Sequence, residues 1–191
     1  MKKLSPYLML ILSVALLAHC TPPGDSVQAE ENTDADPTYV FATQHAMTWE
    51  EAINQMDELA DAMPDEMYSY KPHDSLMTCG EQLVHIGGSS KVMANMFLKD
   101  VQPESQPSVD VSSMSKEEIK NMVRTSLEEA GEIMSSMSDE QLQEEVKSFS
   151  GKMMTRQQAL MFIHDHLTNH KAKANLYVRV SGNEPPDYRY Y

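Results

Sequence analysis

Seven histidines stand in the sequence, and two of them, His166 and His170, lie four residues apart in a run that reads as one long helix, Arg156–Val180. At about 100° per residue, with Ala159 as zero, His166 falls at about −20° and His170 at about 20°. Both then sit inside an apolar stripe of Phe162, Ile163, Leu167, Ala174 and Tyr177. His164 falls at about 140°, on the margin of that stripe. Two imidazoles stacked on an apolar face need partners, because a buried polar group without one is costly and a doubly charged pair repels itself. Backbone or water can serve, and so can a divalent metal, which takes neutral imidazole nitrogen directly. The pair alone leaves both open. A third donor decides, and His85 is the candidate, placed near Val92 and Met96 on the inner face of a second helix. It reaches the pair only if the two helices are neighbours. Glu81, one turn before His85, is a weak candidate for a catalytic base or an orienting group, and it also fits a helix cap.

The elements that must position these side chains are marked by their starts. Thr48/Glu51, Thr78/Glu81, Ser115/Glu118, Ser138/Gln141 and Thr155/Gln158 each fit a capping box, in which the two ends of a first turn satisfy one another's free amides. A first helix is predicted over 49–63, with Trp49, Ile53, Met56, Ala60 and Met63 on one stripe and Pro64 as its stop. The second is predicted over Cys79–Leu98, with Leu83, Ile86, Val92, Met93, Met96 and Phe97 inward. The third covers 116–137, with Ile119, Val123, Ala130, Ile133 and Met137 on one face. Segment 138–146 reads as an extra helical turn or two, and the last helix stops at Gly182 before Pro185-Pro186. The Pro- and Ser-rich connection 102–113 is long for a bundle, as a crossover between helices 2 and 3 requires. No window alternates with period two for long. The expected fold class is all-α, a four-helix bundle, and the abundance of Met, 16 in all, suits irregular gaps in a helical core.

The chain of 191 residues carries 29 acids against 15 bases, a net charge of −14. Such a field repels phosphates, so no nucleic-acid partner is expected. Lys2 and Lys3 followed by the apolar stretch 7–18 read as a signal peptide over 1–19, too short to span a bilayer comfortably. It ends in Leu17-Ala18-His19-Cys20, which resembles the lipobox of bacterial lipoproteins, with His19 where that motif carries a small residue. Cys20 is the expected lipid attachment point. Residues 20–46 form an acidic tether, with five acids and no base over 21–44. The folded domain is expected over 47–182 and a C-terminal tail over 183–191. The expected location is the cell envelope, with the protein on a membrane through its anchor and facing periplasm or exterior. Cys79 is then alone, so no internal disulfide forms.

The segment Met63-Pro64, Tyr70-Lys71-Pro72 and Gly80-Glu81-Gln82-Leu83-Val84-His85-Ile86 resembles the DinB-like (damage-inducible) pattern of an MP turn, an "xxP" step and a helix opening "GE…HI". The run from His166 to His170, followed by Tyr177-Val178-Arg179-Val180-Ser181-Gly182 and Pro185-Pro186, is similar to that family's "HxxxH…YLRLNG…PP" ending. The resemblance implies a DinB-type four-helix bundle whose metal is held by one histidine of helix 2 and two of the last helix. In this chain those are His85, His166 and His170, with zinc or nickel the expected ion. Where the family carries "RGQ" after the final histidine, this chain has Lys171-Ala172-Lys173. Three imidazoles leave coordination positions open, the arrangement of a catalytic rather than a closed structural site. An ion there lowers the pKa of a bound water or thiol. Relatives implied by the resemblance include thiol-dependent transferases and isomerases. Their thiol cofactors belong mainly to the cytoplasm, so metal-assisted hydrolysis of a small-molecule substrate is the nearer activity for an exported chain. The alternatives are a non-catalytic, metal-stabilised envelope lipoprotein and a helical interaction module. Oligomeric state stays open, a homodimer included. No nucleophilic triad, phosphate-cradling glycine loop or cysteine zinc site is visible.

Overall fold

A computed structural model describes residues 40–102 and 109–190. Its elements are α1 (Val40–Ala62), α2 (Cys79–Leu98), α3 (Lys116–Ser135), the single turn α4 (Asp139–Leu142), β1 (Glu145–Lys147), β2 (Met153–Thr155) and α5 (Arg156–Val180). Short 3-10 turns sit at Asp65–Met67 and Val111–Ser113. The four long helices form a bundle in which α5 lies between α2 and α1, and α3 packs against the same two helices. Cys20 and the leader lie outside the described residues. Among the described residues no helix is long and apolar enough to cross a membrane.

Four of the five capping boxes form, at Thr78, Ser115, Ser138 and Thr155, each with both reciprocal bonds. Thr48 does not cap. The helix is already formed at Val40, and the Thr48 hydroxyl donates back to the His45 carbonyl at 2.8 Å, as an interior threonine does. Residues 40–46 are therefore helix rather than tether. α1 stops where Pro64, with extended backbone, cannot continue it. Its stripe of Trp49, Ile53, Met56, Leu59 and Ala60 is buried.

Direction follows from which residues meet. Gly80 lies against Ile119, Gly87 against Val123, and Lys91 pairs with Glu129, so α2 and α3 run parallel. Parallel neighbours need a connection that returns along their length, which is why the link between them is long. Gly87 permits the closest approach: a Cβ there would stand 3.0 Å from the backbone of Val123. By the same logic Asp57–Arg124 and Asp61–Lys120 set α1 antiparallel to α3.

Segment 138–146 is only partly helical. After α4 the chain enters a two-stranded antiparallel ribbon, with Glu145 opposite Thr155 and Lys147 opposite Met153, turned at Gly151 with φ +82°. Only Val146 on β1 points inward, so three-residue strands offer no period-two signal to read. The ribbon delivers Arg156 to a junction. The residue is 7% exposed, and its guanidinium donates to the Phe97 carbonyl at 2.8 Å, to Asp100 at 2.6 Å and to Glu144 at 3.0 Å. This ties the start of α5 to the end of α2. At its other end α5 stops at Gly182, whose φ of +85° favours glycine. The tail beyond folds back onto α1, where Arg189 pairs with Glu51 and Glu58.

Candidate metal centre

α2 and α5 run antiparallel, and this brings His85 against the His166–His170 pair. The ring centroids of His85 lie 5.3 Å from His166 and 4.4 Å from His170, and those of His166 and His170 lie 4.4 Å apart. One ligand nitrogen from each falls within 4.8 Å of the others. A zinc ion at about 2.0–2.1 Å from each nitrogen needs donors roughly 3.5 Å apart, so modest side-chain rotation closes this set on an ion. Among the described residues no carboxylate or thiol joins the group.

The three imidazoles are held in the form a metal takes. Burial, then the charge of Lys173, lowers the pKa of His85. Burial, then His85 and Lys173, lowers that of His166. Burial, then repulsion by His85 and His166, brings His170 down to about 4. Each is therefore neutral at pH 7, with a lone pair available. Neighbours orient two rings. The Gln82 side-chain amide meets Nδ1 of His170 at 2.6 Å, and the Ser89 hydroxyl lies 3.4 Å from Nδ1 of His166. Both contacts occupy Nδ1 and leave Nε2 as the nitrogen for an ion. Turned about its last bond, the Gln82 amide presents oxygen to an Nδ1–H, the bond that fixes a ligating tautomer.

The buried stripe of α5 is rotated from the predicted one. Its centre is Ala159, Leu160, Ile163, Leu167, Ala174 and Val178. Phe162 is 39% exposed, and on α2 Val92 is 40% exposed. The His166–His170 pair thus lies on one flank of the stripe, half-buried and facing α2, rather than in its middle. This follows from α5 having a neighbour on each side, so that its most buried line points between them. Glu81 is exposed and its carboxylate accepts from the Thr78 backbone N–H at 2.6 Å, so the cap commits it. Cys79 is buried, and burial pushes its thiol up to about 12, which is the behaviour of a packing residue rather than a nucleophile.

His164 lies outside the triad, on the opposite flank of α5, where Nδ1 bonds to Nε2 of His45 at 2.9 Å. His45 is a residue the sequence reading missed, because it assigned position 45 to the tether. The signal was the four-residue spacing of Phe41, His45 and Trp49, whose rings stack in sequence along α1 at 6.3 and 6.0 Å. A cavity of about 440 Å³ opens beside this pair, between α1, α5 and the tail, and Lys171 lines it.

Comparison with known proteins bears on the family and the fold. The profile of the DinB family matches residues 36–191. An uncharacterised protein, YjoA of Bacillus subtilis (strain 168), is 27% identical over 139 residues, which is 71% of this chain and 88% of YjoA. The crystal structure of that DinB-like protein superposes with a TM-score of 0.63, covering 76% of this chain and 97% of its own. A DinB-like protein from Bacillus cereus ATCC 10987 superposes with a TM-score of 0.60 at 19% identity, covering 75% of this chain and 94% of its own, and bears on the fold alone.

Proposed function

The chain belongs to the DinB family, and on that premise we propose that His85, His166 and His170 hold a divalent ion, zinc or nickel, for chemistry on a small substrate. The observation that carries this is the donor set: three neutral imidazoles from two antiparallel helices, with no carboxylate or thiol as a fourth donor among the described residues. An ion so held keeps positions open, and the chemistry it supplies is a lowered pKa for a water or thiol that fills one of them. Gln82 and Ser89 keep His170 and His166 aimed. Phe162, 6.4 Å from the His166 ring and joined by Phe149 at 6.3 Å, gives the flank an apolar wall for the body of a substrate. The positive charge of Lys173 bears on all three histidines and favours an electrophile that carries or develops negative charge.

In this proposal the reaction is hydrolysis or thiol transfer at a small electrophilic centre, carried out in the cell envelope by a protein anchored through Cys20. The location rests on the leader and its lipobox-like end. Labelled fatty acid entering the wild-type chain but not Cys20→Ser supports it, and a mature chain that starts elsewhere removes it. For the site, the test is cobalt substitution of the full-length chain. A visible spectrum that shifts on adding a small thiol or azide supports an open, reactive ion. A spectrum unmoved by every small ligand means a closed site, and an ion that only staples α2 to α5.

A further inference from the structure

On the flank of α5 away from the histidine triad, the cavity between α1, α5 and the C-terminal tail has a built floor. Lys171 is 7% exposed, and its ammonium donates to the Gln55 side-chain oxygen at 2.8 Å while lying 5.4 Å from the centre of the Tyr188 ring. The Gln55 amide is locked in that orientation, since its nitrogen donates to the Arg189 carbonyl at 2.6 Å and to Glu51 at 3.1 Å. Glu51, the nearest acid of that group, is taken by Arg189 at 2.6 Å. Among the described residues no carboxylate lies within 4.0 Å of the Lys171 ammonium. Among the described residues Lys171 is the one buried lysine, and its direct contacts are a neutral amide and a ring face, while the charge of Glu51 reaches it only from beside Arg189. A buried cation with no carboxylate in direct contact is costly, and an incoming anion lowers that cost.

The cavity is shaped for the missing charge. Its volume, about 440 Å³, falls in the range of small-ligand sites. Phe41, Met161 and Tyr188 line its sides, His45 and His164 contribute imidazole edges, and its charged lining residues are Lys171, Arg189 and a single acid, Asp165. We propose that this cavity is a second binding site, distinct from the histidine triad, for a small monocarboxylate with a flat apolar body, whose carboxylate pairs with Lys171. Charge sets the head group and the aromatic walls set the body. Neither feature depends on an ion at the triad, so this site and the proposed metal site stand or fall separately.

The chain reports on this cavity itself, because its single tryptophan, Trp49, lies with ring centroids 6.0 Å from His45 and 5.7 Å from His164. The full-length chain is titrated with benzoate, phenylacetate and hexanoate, and with benzamide as the uncharged isostere, while Trp49 emission is followed. At least one carboxylate is expected to change the emission saturably, with benzamide at least tenfold weaker. Lys171→Met should weaken the carboxylate at least tenfold, Lys171→Arg should retain most of the binding, and His85→Ala should leave it unchanged. Equal binding of benzoate and benzamide to the wild-type chain overturns the proposal without any variant needing to fold. So does silence towards all three carboxylates, or binding that survives Lys171→Met and is lost in His85→Ala, which would place the carboxylate on the metal.

Discussion

Replacing His45 with Phe isolates an acid-sensitive element of the fold. His45 is half-buried between Phe41 and Trp49, bonded to His164 through Nε2, with Nδ1 buried and unpartnered. Burial first, and then repulsion by His164, hold its pKa at about 4 in the folded chain against 6.5 when unfolded. Above pH 6.5 the ring is neutral in both states, and its titration leaves stability unchanged. Below that the unfolded chain takes up a proton that the folded chain refuses, so stability falls as the pH drops from about 6.5 towards 4. A pKa difference of this size corresponds to about 3 kcal/mol across the window, a large part of the roughly 5–15 kcal/mol that holds a domain together. Phenylalanine keeps the ring stack and cannot take the proton. It also forfeits the bond to His164, worth about 1 kcal/mol, so near pH 7.5 the two proteins should differ little. Urea unfolding followed by circular dichroism, repeated down to pH 4, should show the variant gaining on wild type by about 3 kcal/mol. Carboxylates elsewhere titrate in both proteins and cancel in the difference. Parallel stability curves would refute the reasoning.

Gly131→Ala sets helix propensity against packing. A Cβ there would stand 2.7 and 2.9 Å from atoms of the buried Trp49 indole, which is pinned by its bond to the Leu127 carbonyl. Alanine gains up to about 1 kcal/mol in propensity but overpacking costs about 1–3 kcal/mol, so a net loss of about 1–2 kcal/mol is expected, with red-shifted Trp49 emission. A stabilised variant with unchanged emission would contradict the close approach of α1 and α3. Thr78→Ala should cost about 1 kcal/mol in urea unfolding, as loss of a cap does, whereas Thr48→Ala should cost less than half of that. Equal losses would mean that α1 starts at Trp49 after all.

The bundle was legible in the sequence because helix starts carry local chemistry. Four capping boxes and a proline stop depend on residues within a turn of one another, and all four formed. Thr48/Glu51 shows the limit of that signal, since a Thr three residues before a Glu also occurs inside an amphipathic helix, and nothing within four residues tells the two apart. The three histidines that converge were picked out through the family pattern, while the meeting of α2 and α5 is a tertiary fact that no spacing on either helix contains. The α5 stripe came out rotated because Phe162 was weighted as core. Apolarity stands for burial only on average: Phe162 is exposed, while Lys171, whose ammonium finds an amide, goes inside. The ribbon at β1 and β2 escaped because three residues are too few to establish a period.

The central claim is that His85, His166 and His170 form one metal site and that His164, two residues from one of them, takes no part. Metal analysis of the full-length chain, purified without an affinity tag and compared with its single alanine variants, tests this directly. The wild-type protein and His164→Ala should each retain about one divalent ion per chain, with zinc–nitrogen distances of about 2.0–2.1 Å by X-ray absorption. His85→Ala, His166→Ala and His170→Ala should each lose most of the metal. Equal retention in His164→Ala and His166→Ala would contradict the assignment.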